Sequence, residues 1–235
     1  MVIPPVSRVR WPRAVRLVRS IYPPIALFED IADPADWELV AAAEAKTNPR
    51  VRDEIGAIHL VPAARRVSGP GASWAMAPFC HASRDRPSRF SDGSYGVYYA
   101  GDRFAVALAE TMFHFERFMA ATNEDPATAD FRELLSRIDA DLHDLRDTAA
   151  CEAALDADDY AAAQSLAREL RWNHASNGLV YPSVRYTPHS GGAAMAAFWP
   201  DVAGLPVPGR HLCYRWDGRR VDAWLVYGEA DWRPR

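Results

Sequence analysis

Apolar residues recur every three to four positions along residues 103–121, which is the spacing of one helix face. The positions that carry this pattern are Phe104, Leu108, Met112, Phe115 and Met119. Asp102 is suited to the N-cap of such a helix, and Gly101 permits a turn before it. The sequence therefore predicts a helix over 103–121, directly after a short strand in residues 96–100.

Shorter signals of both helix and strand continue on either side of this segment. Two further helices are predicted, from Asp33-Pro34 to about Lys46 and from Asp158-Asp159 to about Trp172. Strands are predicted at residues 55–60, in part of 131–145, at 179–181, and on both sides of the hairpin signal Asp217-Gly218. This irregular alternation favours an α+β fold with small mixed or antiparallel sheets flanked by helices.

A chain of 235 residues suits one domain with an N-terminal extension. The predicted division is an arm and helix at 1–59, the main domain at 60–228 and a tail at 229–235. Within the extension, residues 1–32 are rich in proline and arginine and are interpreted as an arm lying on the domain. Residues 66–94 lack a clear pattern but contain several aromatic residues, so we expect an ordered loop that forms a site.

Composition narrows the range of functions. A net charge of −4 argues against a general nucleic-acid binder, which needs a basic face. No apolar run reaches the roughly 18 residues of a membrane span, and the arginine-rich N-terminus lacks the apolar segment of a secretory signal. The expectation is a soluble, cytoplasmic protein. Lys46 is the only lysine among 27 basic residues, so 26 are arginines, which bind phosphate through a planar fork.

Several familiar chemistries have no motif in this chain. The three cysteines lack CxxC spacing, and the seven histidines never fall at HxH or HxxxH spacing, so no metal site is expected. His114 is interpreted as a packed or half-exposed histidine of the helix. The sequence has no GxSxG nucleophile turn, no GxGxxG dinucleotide loop and no Walker-type loop.

What remains is a dispersed set of Arg, Tyr, Glu and Ser residues. Glu110 lies among apolar helix residues, where a carboxylate is costly to bury without a partner. The upstream run Arg84, Arg86 and Arg89 offers a cationic partner. Each residue of the set also has a structural interpretation: Arg66 as a surface arginine, Tyr99 as a core aromatic, and Glu110 as an ion pair with Arg89.

At these residues the chain resembles the RES-domain family, named for an Arg, a Glu and a Ser. The resemblance covers about residues 60–228. It is carried by the runs Ser88-Arg89-Phe90, Gly96-Val97-Tyr98-Tyr99-Ala100, Ala107-Leu108-Ala109-Glu110, Ser176-Asn177-Gly178-Leu179-Val180-Tyr181-Pro182-Ser183-Val184-Arg185 and Ala196-Ala197-Phe198-Trp199.

The resemblance implies a fold similar to that of ADP-ribosyltransferase toxins, and a toxin of a toxin–antitoxin pair that degrades NAD by hydrolysis or phosphorolysis. It implies catalytic roles for Glu110 and Arg66. The implied substrate-binding residues are Arg89, Tyr99, Ser183, Tyr98 and Asn177. Arg65 and Tyr98 are adjacent alternatives to Arg66 and Tyr99.

In such an enzyme Glu110 would stabilise the cation that forms on the ribose, because the positively charged nicotinamide leaves as a neutral molecule. The two arginines would hold the pyrophosphate, Tyr99 would stack on nicotinamide, and Ser183 would bind the carboxamide or ribose. NAD is then a substrate rather than a cofactor, with inorganic phosphate as the potential co-substrate.

Two other functions stay open, namely a mono-ADP-ribosyltransferase acting on a macromolecule and an inactive protein that only binds an antitoxin. The expected partner is an Xre-like helix-turn-helix antitoxin, with the 1–32 arm as a candidate element for docking or homodimer formation. Neither direct nucleic-acid binding nor membrane binding is expected.

Overall fold

A long antiparallel strand pair organises the fold. Strand β1 (Val6–Arg19) runs beside β3 (Ala127–Asp144) through 12 residue pairs, from Val6 opposite His143 to Arg19 opposite Phe131. The computed structural model describes residues 2–22, 24–30, 32–48, 50–147, 149–186, 191–229 and 231–235. Residues 6–19 were expected to lie in an arm, but they form a strand that belongs to the sheet.

The described residues form a mixed sheet of eight strands. The remaining strands are β2 (Tyr98–Gly101), β4 (Gly178–Pro182), β5 (Ala193–Ala197), β6 (Val207–Trp216), β7 (Val221–Val226) and β8 (Arg233–Pro234). Their order is β1-β2-β5-β4-β3-β6-β7-β8, and the additional β1–β3 pairing joins the first five strands into a closed ring. Only the β3–β4 pairing is parallel within these residues. The predicted α+β class is confirmed.

Seven helices surround the sheet in the described part of the chain. They are α1 (Ala26–Asp30), α2 (Trp37–Glu44), α3 (Arg50–Ile55), α4 (Ala72–Cys80), α5 (Phe104–Thr122), α6 (Ala161–Asn173) and α7 (Pro200–Ala203). Short 3₁₀ turns occur at Ile58–Leu60, Ala63–Arg65 and Ala149–Leu155. None of these described helices combines the length and apolar character that crossing a bilayer requires.

Three apolar clusters hold the helices on the sheet. The N-terminal helices cover one region around Trp37, and α6 covers a second around Phe90. Helix α5 covers the third, where Phe115 lies edge-on to Phe131 at 5.4 Å between ring centroids. The periodic residues that predicted α5 therefore serve as its contact with the sheet.

Several local expectations need correction. Residues 55–60 were expected to form a strand but lie in the end of α3 and a 3₁₀ turn, and the expected loop at 66–94 contains α4. The N-cap of α5 is Arg103 rather than Asp102, whose carboxylate accepts two hydrogen bonds from the Arg103 guanidinium. By contrast, the 103–121 helix, the strand within 131–145 and the hairpin at Asp217-Gly218 are confirmed.

The close approach of β2 to α5 depends on Gly101. A Cβ atom built at this glycine would lie 2.8 Å from Val106 Cγ1 and 3.0 Å from Ala107 N. Any larger residue would therefore displace the first turn of the helix. This contact sets the distance between the end of β2 and the helix face that carries Glu110.

A buried carboxylate stabilises the junction of β3 and β6. The Glu133 side chain is fully buried and accepts hydrogen bonds from Arg210 Nε at 2.9 Å and Arg210 Nη2 at 2.7 Å. Burial alone would raise the pKa of the Glu133 carboxyl, but the hydrogen bonds and charge of Arg210 lower it overall, below the ordinary value of 4.5. The ion pair therefore stabilises the fold above that pH, and this contribution is lost as pH falls through the folded-state pKa.

Replacing Arg210 should destabilise the protein because an unpaired carboxylate would remain buried. For Arg210→Met we expect the free energy of unfolding at pH 7 to fall by about 2–3 kcal/mol, somewhat less than for a fully buried pair. The difference from the wild type should shrink as pH falls, because the carboxyl becomes protonated first in the variant, where burial raises its pKa, and only at lower pH in the wild type. Urea denaturation at several pH values measures both effects.

Arg215→Met is the matched control, since Arg215 forms a similar two-bond pair with Asp222 on the surface of the same hairpin. A surface pair contributes about 1 kcal/mol or less. Equal losses from the two variants would show that burial of Glu133 has no special energetic role.

Candidate functional site

A cavity of about 300 Å³ opens between β1, β2 and α5, and Glu110 lies in its wall. We call it the Glu110 cavity. Helix α5 contributes one face to it, and the turn at residues 87–89 and Tyr181 of β4 complete the wall. Its size is at the lower end of the range for small-molecule sites. Strands β1 and β4, which are distant in sequence from β2 and α5, therefore converge with them on the predicted catalytic carboxylate.

The Glu110 carboxylate is oriented by Ser183. Ser183 Oγ donates a hydrogen bond to Glu110 Oε1 at 2.6 Å and accepts one from the backbone N–H of Tyr186 at 3.1 Å. Because the Tyr186 N–H uses Ser183 Oγ as acceptor, the hydroxyl proton is directed to the carboxylate. Ser183 and Glu110, both predicted from the sequence, are thus brought together.

Glu110 is half-buried and has no arginine or lysine within ion-pair distance among the described residues. Arg84 and Arg86 of the expected cationic run are exposed. The interpretation of Glu110 as a structural ion pair with Arg89 therefore does not describe this fold. A neutral hydroxyl rather than a cation of the described residues therefore holds the Glu110 side chain.

Tyr99 lines the Glu110 cavity and also holds the turn beside it. Its hydroxyl accepts a hydrogen bond from Phe90 N at 2.9 Å and lies 2.8 Å from Ser88 Oγ. Burial raises the pKa of Tyr99 to about 12, so the phenol is neutral at physiological pH. Stacking of this ring on nicotinamide stays a prediction.

Arg89 reaches the cavity wall, but its guanidinium is largely engaged with the backbone. It donates hydrogen bonds to the carbonyl oxygens of Asp156, Ala154 at 3.5 Å and Ala157 at 3.4 Å, and it lies 4.6 Å from the centre of the Tyr160 ring. The residue is only 7% exposed. Arg89 thus connects the segment before α6 to the cavity wall. Few of its N–H donors are left unbonded for a ligand in the cavity.

Arg16 of β1 is a second arginine of the cavity wall. Its Nη1 donates a hydrogen bond to the carbonyl oxygen of Tyr99 at 2.9 Å, and its guanidinium lies 4.7 Å from the Tyr98 ring centre. Its Nε is buried without a hydrogen-bond partner, and no carboxylate of the described residues forms an ion pair with it. Arg16 therefore lines the cavity without an acidic partner among the described residues, while its guanidinium packs on Tyr98.

His114 lies one helical turn after Glu110 on the same face of α5. Its pKa is lowered to about 4, first by burial of the ring and then by the positive charges of Arg117, Arg185 and Arg89. The residue is also exposed to solvent on one side. The imidazole is neutral at physiological pH and does not neutralise Glu110.

Two other predicted residues lie outside the cavity. Arg66 directs its guanidinium to the carbonyl oxygens of Val61 and Pro34 and to the Glu38 carboxylate. Its side chain is only 3% exposed, so it connects α2 to the following turn. Tyr98 is fully buried on the other face of β2, in the apolar cluster around Trp37.

Arg65 and Asn177 meet in a different place. Arg65 Nη2 donates to Asn177 Oδ1 at 3.0 Å, and Arg65 Nε lies 3.1 Å from Asp201 Oδ1. Both residues line an open depression of about 430 Å³ at β3, larger than the Glu110 cavity. Because its arginines and aspartates pair largely with each other, this depression resembles a solvated surface. Asn177 is therefore separated from Glu110, with which the resemblance had grouped it.

A metal site is not found in the described part of the chain, where no three His, Cys, Asp or Glu side chains are grouped closely enough to hold an ion. The three cysteines are buried and free.

Sequence reasoning missed Arg16 and gave no role to Tyr181. The run Val15-Arg16-Leu17 places a charged residue inside an apolar strand segment, which is a usable signal once residues 6–19 are recognised as a strand. Tyr181 precedes Ser183 by two residues, which is the repeat of a strand. Both signals depend on the strand assignment, and the N-terminal segment had been assigned to an arm.

Comparisons with known proteins find matches that cover most of the chain. The RES domain family model matches residues 63–217, which include Arg89, Tyr99, Glu110 and Ser183. The uncharacterized protein y4oC of Sinorhizobium fredii (strain NBRC 101917 / NGR234) is 27% identical over 224 residues, which cover 92% of this chain and 87% of the relative. That alignment is longer than the family match, so the similarity extends outside residues 63–217.

Removing the Tyr99 hydroxyl should loosen the turn at residues 88–91. In Tyr99→Phe the backbone N–H of Phe90 loses its acceptor, and we expect the free energy of unfolding to fall by about 1–3 kcal/mol. Urea denaturation measures this loss, and hydrogen exchange should be faster at the amide of Phe90.

Tyr227→Phe provides the comparison, because the Tyr227 hydroxyl bonds Asp130 on an exposed part of the surface. A loss in Tyr99→Phe no larger than in Tyr227→Phe, with unchanged exchange at Phe90, would contradict the role of Tyr99 in holding the turn.

Proposed function

The chain belongs to the RES domain family, and we propose that it cleaves the nicotinamide–ribose bond of NAD as the toxin of a toxin–antitoxin pair. The family is known for NAD-related enzymatic activity. The observation that carries the proposal is the Glu110 carboxylate, which Ser183 fixes through one oxygen at the wall of a cavity. No other hydrogen bond engages Glu110 in the described residues, so the second oxygen is available to a ligand.

The chemistry requires one carboxylate. The bond between the pyridinium nitrogen and ribose C1′ breaks, its electron pair stays with nitrogen, and neutral nicotinamide leaves without protonation. Positive charge builds on C1′, and a carboxylate beside it stabilises the transition state by on the order of 3–4 kcal/mol. Glycoside hydrolysis, by contrast, commonly needs a second carboxyl group to protonate the leaving group. Water or inorganic phosphate then bonds to C1′ and releases a proton.

Of the two arginines that line the cavity, Arg16 uses fewer of its donors on the protein and so has more of them free for the anionic part of the substrate. It lies in the cavity wall, has no acidic partner in the described residues, and stays charged at neutral pH despite burial. Arg66 had been given this role, but its donors are already bound to protein oxygens. We therefore assign phosphate binding to Arg16, with Arg89 positioning the adjoining wall.

The proposed partner is a helix-turn-helix antitoxin that blocks the cavity, and the proposed location is the cytoplasm, where NAD and such a protein would meet. The support for both is the family resemblance. A homodimer stays a prediction from the sequence.

Glu110→Gln should abolish cleavage of NAD by the purified protein, because the amide keeps the shape of the side chain and removes its charge. We expect a loss of at least about 100-fold in kcat, in line with the removal of one electrostatic group. Chromatography of the products separates three acceptors: ADP-ribose indicates water, ADP-ribose 1″-phosphate indicates phosphate, and ADP-ribosylated macromolecule indicates transfer.

Glu124→Gln is the control, since Glu124 is exposed and follows the end of the same helix. Expressed in bacteria without an antitoxin, the wild type and Glu124→Gln should lower cellular NAD and stop growth, whereas Glu110→Gln should do neither. Wild-type turnover by Glu110→Gln would refute the catalytic role of Glu110.

Arg16→Met should weaken use of NAD without unfolding the protein. We expect kcat/KM to fall by about tenfold or more, which corresponds to the loss of a charge-assisted hydrogen bond. Arg10→Met, on an exposed position of the same strand, should leave kcat/KM unchanged.

Arg66→Met should behave in the opposite way, with a lower unfolding midpoint and little change in kcat/KM for the folded fraction. The reason is that the carbonyl oxygens of Val61 and Pro34 would lose their donor. If Arg66→Met instead lost activity at full stability, the phosphate role would return to Arg66.

A further inference from the structure

Tyr181 is a buried residue of the Glu110 cavity that the proposed chemistry has not used. It lies on β4, is only 4% exposed, and packs its ring edge-on to Phe90 at 4.9 Å between centroids. Tyr181 and Glu110 both line the cavity. Ser183, which follows the end of β4, donates its hydrogen bond to the same carboxylate.

The hydroxyl of Tyr181 has no hydrogen-bond partner among the described residues. Neighbouring tyrosines differ: the Tyr99 hydroxyl binds Phe90 N, and the Tyr95 hydroxyl binds Phe90 O. The hydroxyls of Tyr98 and Tyr214 are enclosed without a partner, whereas that of Tyr181 is not enclosed and its residue lines the cavity. A polar group in so apolar a setting gains free energy when a ligand satisfies it.

The protonation state of Tyr181 suits a hydrogen-bond donor. Burial raises its pKa well above the ordinary value, and the nearby negative charge of Glu110 raises it further. The wall of the one cavity therefore carries both a carboxylate acceptor and a phenol donor. Two neighbouring hydroxyl groups on one sugar ring match this pair, because one can donate to Glu110 while the other accepts from Tyr181.

We propose that Tyr181 and Glu110 together bind the 2′,3′-diol of the ribose that carries nicotinamide, with Glu110 on the 2′-hydroxyl and Tyr181 on the 3′-hydroxyl. This inference rests on the proposed cleavage of NAD and names a specificity-determining residue for it. Tyr181 thereby holds the ribose while Glu110 faces the developing charge on C1′. We expect the protein to use a substrate without the 3′-hydroxyl less efficiently than NAD, because that substrate lacks the contact with Tyr181.

The test compares Tyr181→Phe with the wild type on NAD and on its analogue that lacks the 3′-hydroxyl on the nicotinamide ribose. Tyr181→Phe should lower kcat/KM for NAD by about three- to tenfold, the effect of one neutral hydrogen bond. It should leave kcat/KM for the 3′-deoxy analogue unchanged, because the contact is already missing there. An equal loss on both substrates, or no loss on NAD, overturns the inference.

Tyr214→Phe is the matched control. It removes another buried tyrosine hydroxyl, from a ring stacked on Phe131 in the cluster under α5. Its kcat/KM should equal that of the wild type on both substrates. A loss in Tyr214→Phe equal to that in Tyr181→Phe would attribute the effect to general loosening of the core and overturn the inference.

The affinity for ADP-ribose, which retains the diol, can be measured by calorimetry. This measurement tests the diol contact separately from the proposed reaction. If the wild type does not cleave NAD but Tyr181→Phe weakens ADP-ribose binding three- to tenfold, the proposed reaction fails and the diol contact stands. If the wild type cleaves NAD but Tyr181→Phe changes neither binding nor kcat/KM, the diol contact fails and the reaction stands.

Discussion

The pairing of β1 with β3 is the constraint on which the rest of the architecture depends. Its 12 residue pairs join the N-terminal strand to the middle of the chain, and Val15 of β1 then meets Gly101 at the end of β2. This closes the ring of five strands and presses the start of α5 against the sheet. The Glu110 cavity exists because β1 passes beside that helix face, and Arg16 enters its wall for the same reason.

The chain positions the Glu110 carboxylate without pairing it with a cation of the described residues. An arginine paired with Glu110 would satisfy the carboxylate and also cancel the charge that the proposed cationic transition state requires. The Ser183 hydroxyl orients one carboxylate oxygen and leaves the net charge intact. The neutral state of His114, imposed by its surroundings, preserves the same charge.

The arginines illustrate how little residue type alone reveals about function. Arg66 and Arg89 use their donors mainly on backbone carbonyl oxygens, and Arg210 neutralises a buried glutamate. Each of these arginines stabilises tertiary structure. Arg16 differs because its charge has no acidic partner in the described residues, and a charge in that position is available to an anionic ligand. Spatial surroundings therefore distinguish the arginine that is proposed to bind phosphate from the structural ones.

The amino-acid sequence by itself determined the α+β class, the long helix that carries Glu110, the C-terminal hairpin and the grouping of Glu110 with Ser183 and Tyr99. These follow from periodicity, turn residues and a resemblance carried by short runs of residues, all of which are local properties. Only the tertiary structure decided that Arg16 rather than Arg66 lines the cavity, that Asn177 lies elsewhere, and that Tyr181 lines the same cavity as Glu110. Those outcomes depend on strand register between segments more than 100 residues apart in the chain, such as Val15 and Leu135. Local patterns do not encode that register, because it results from burying the faces of several strands and helices at once.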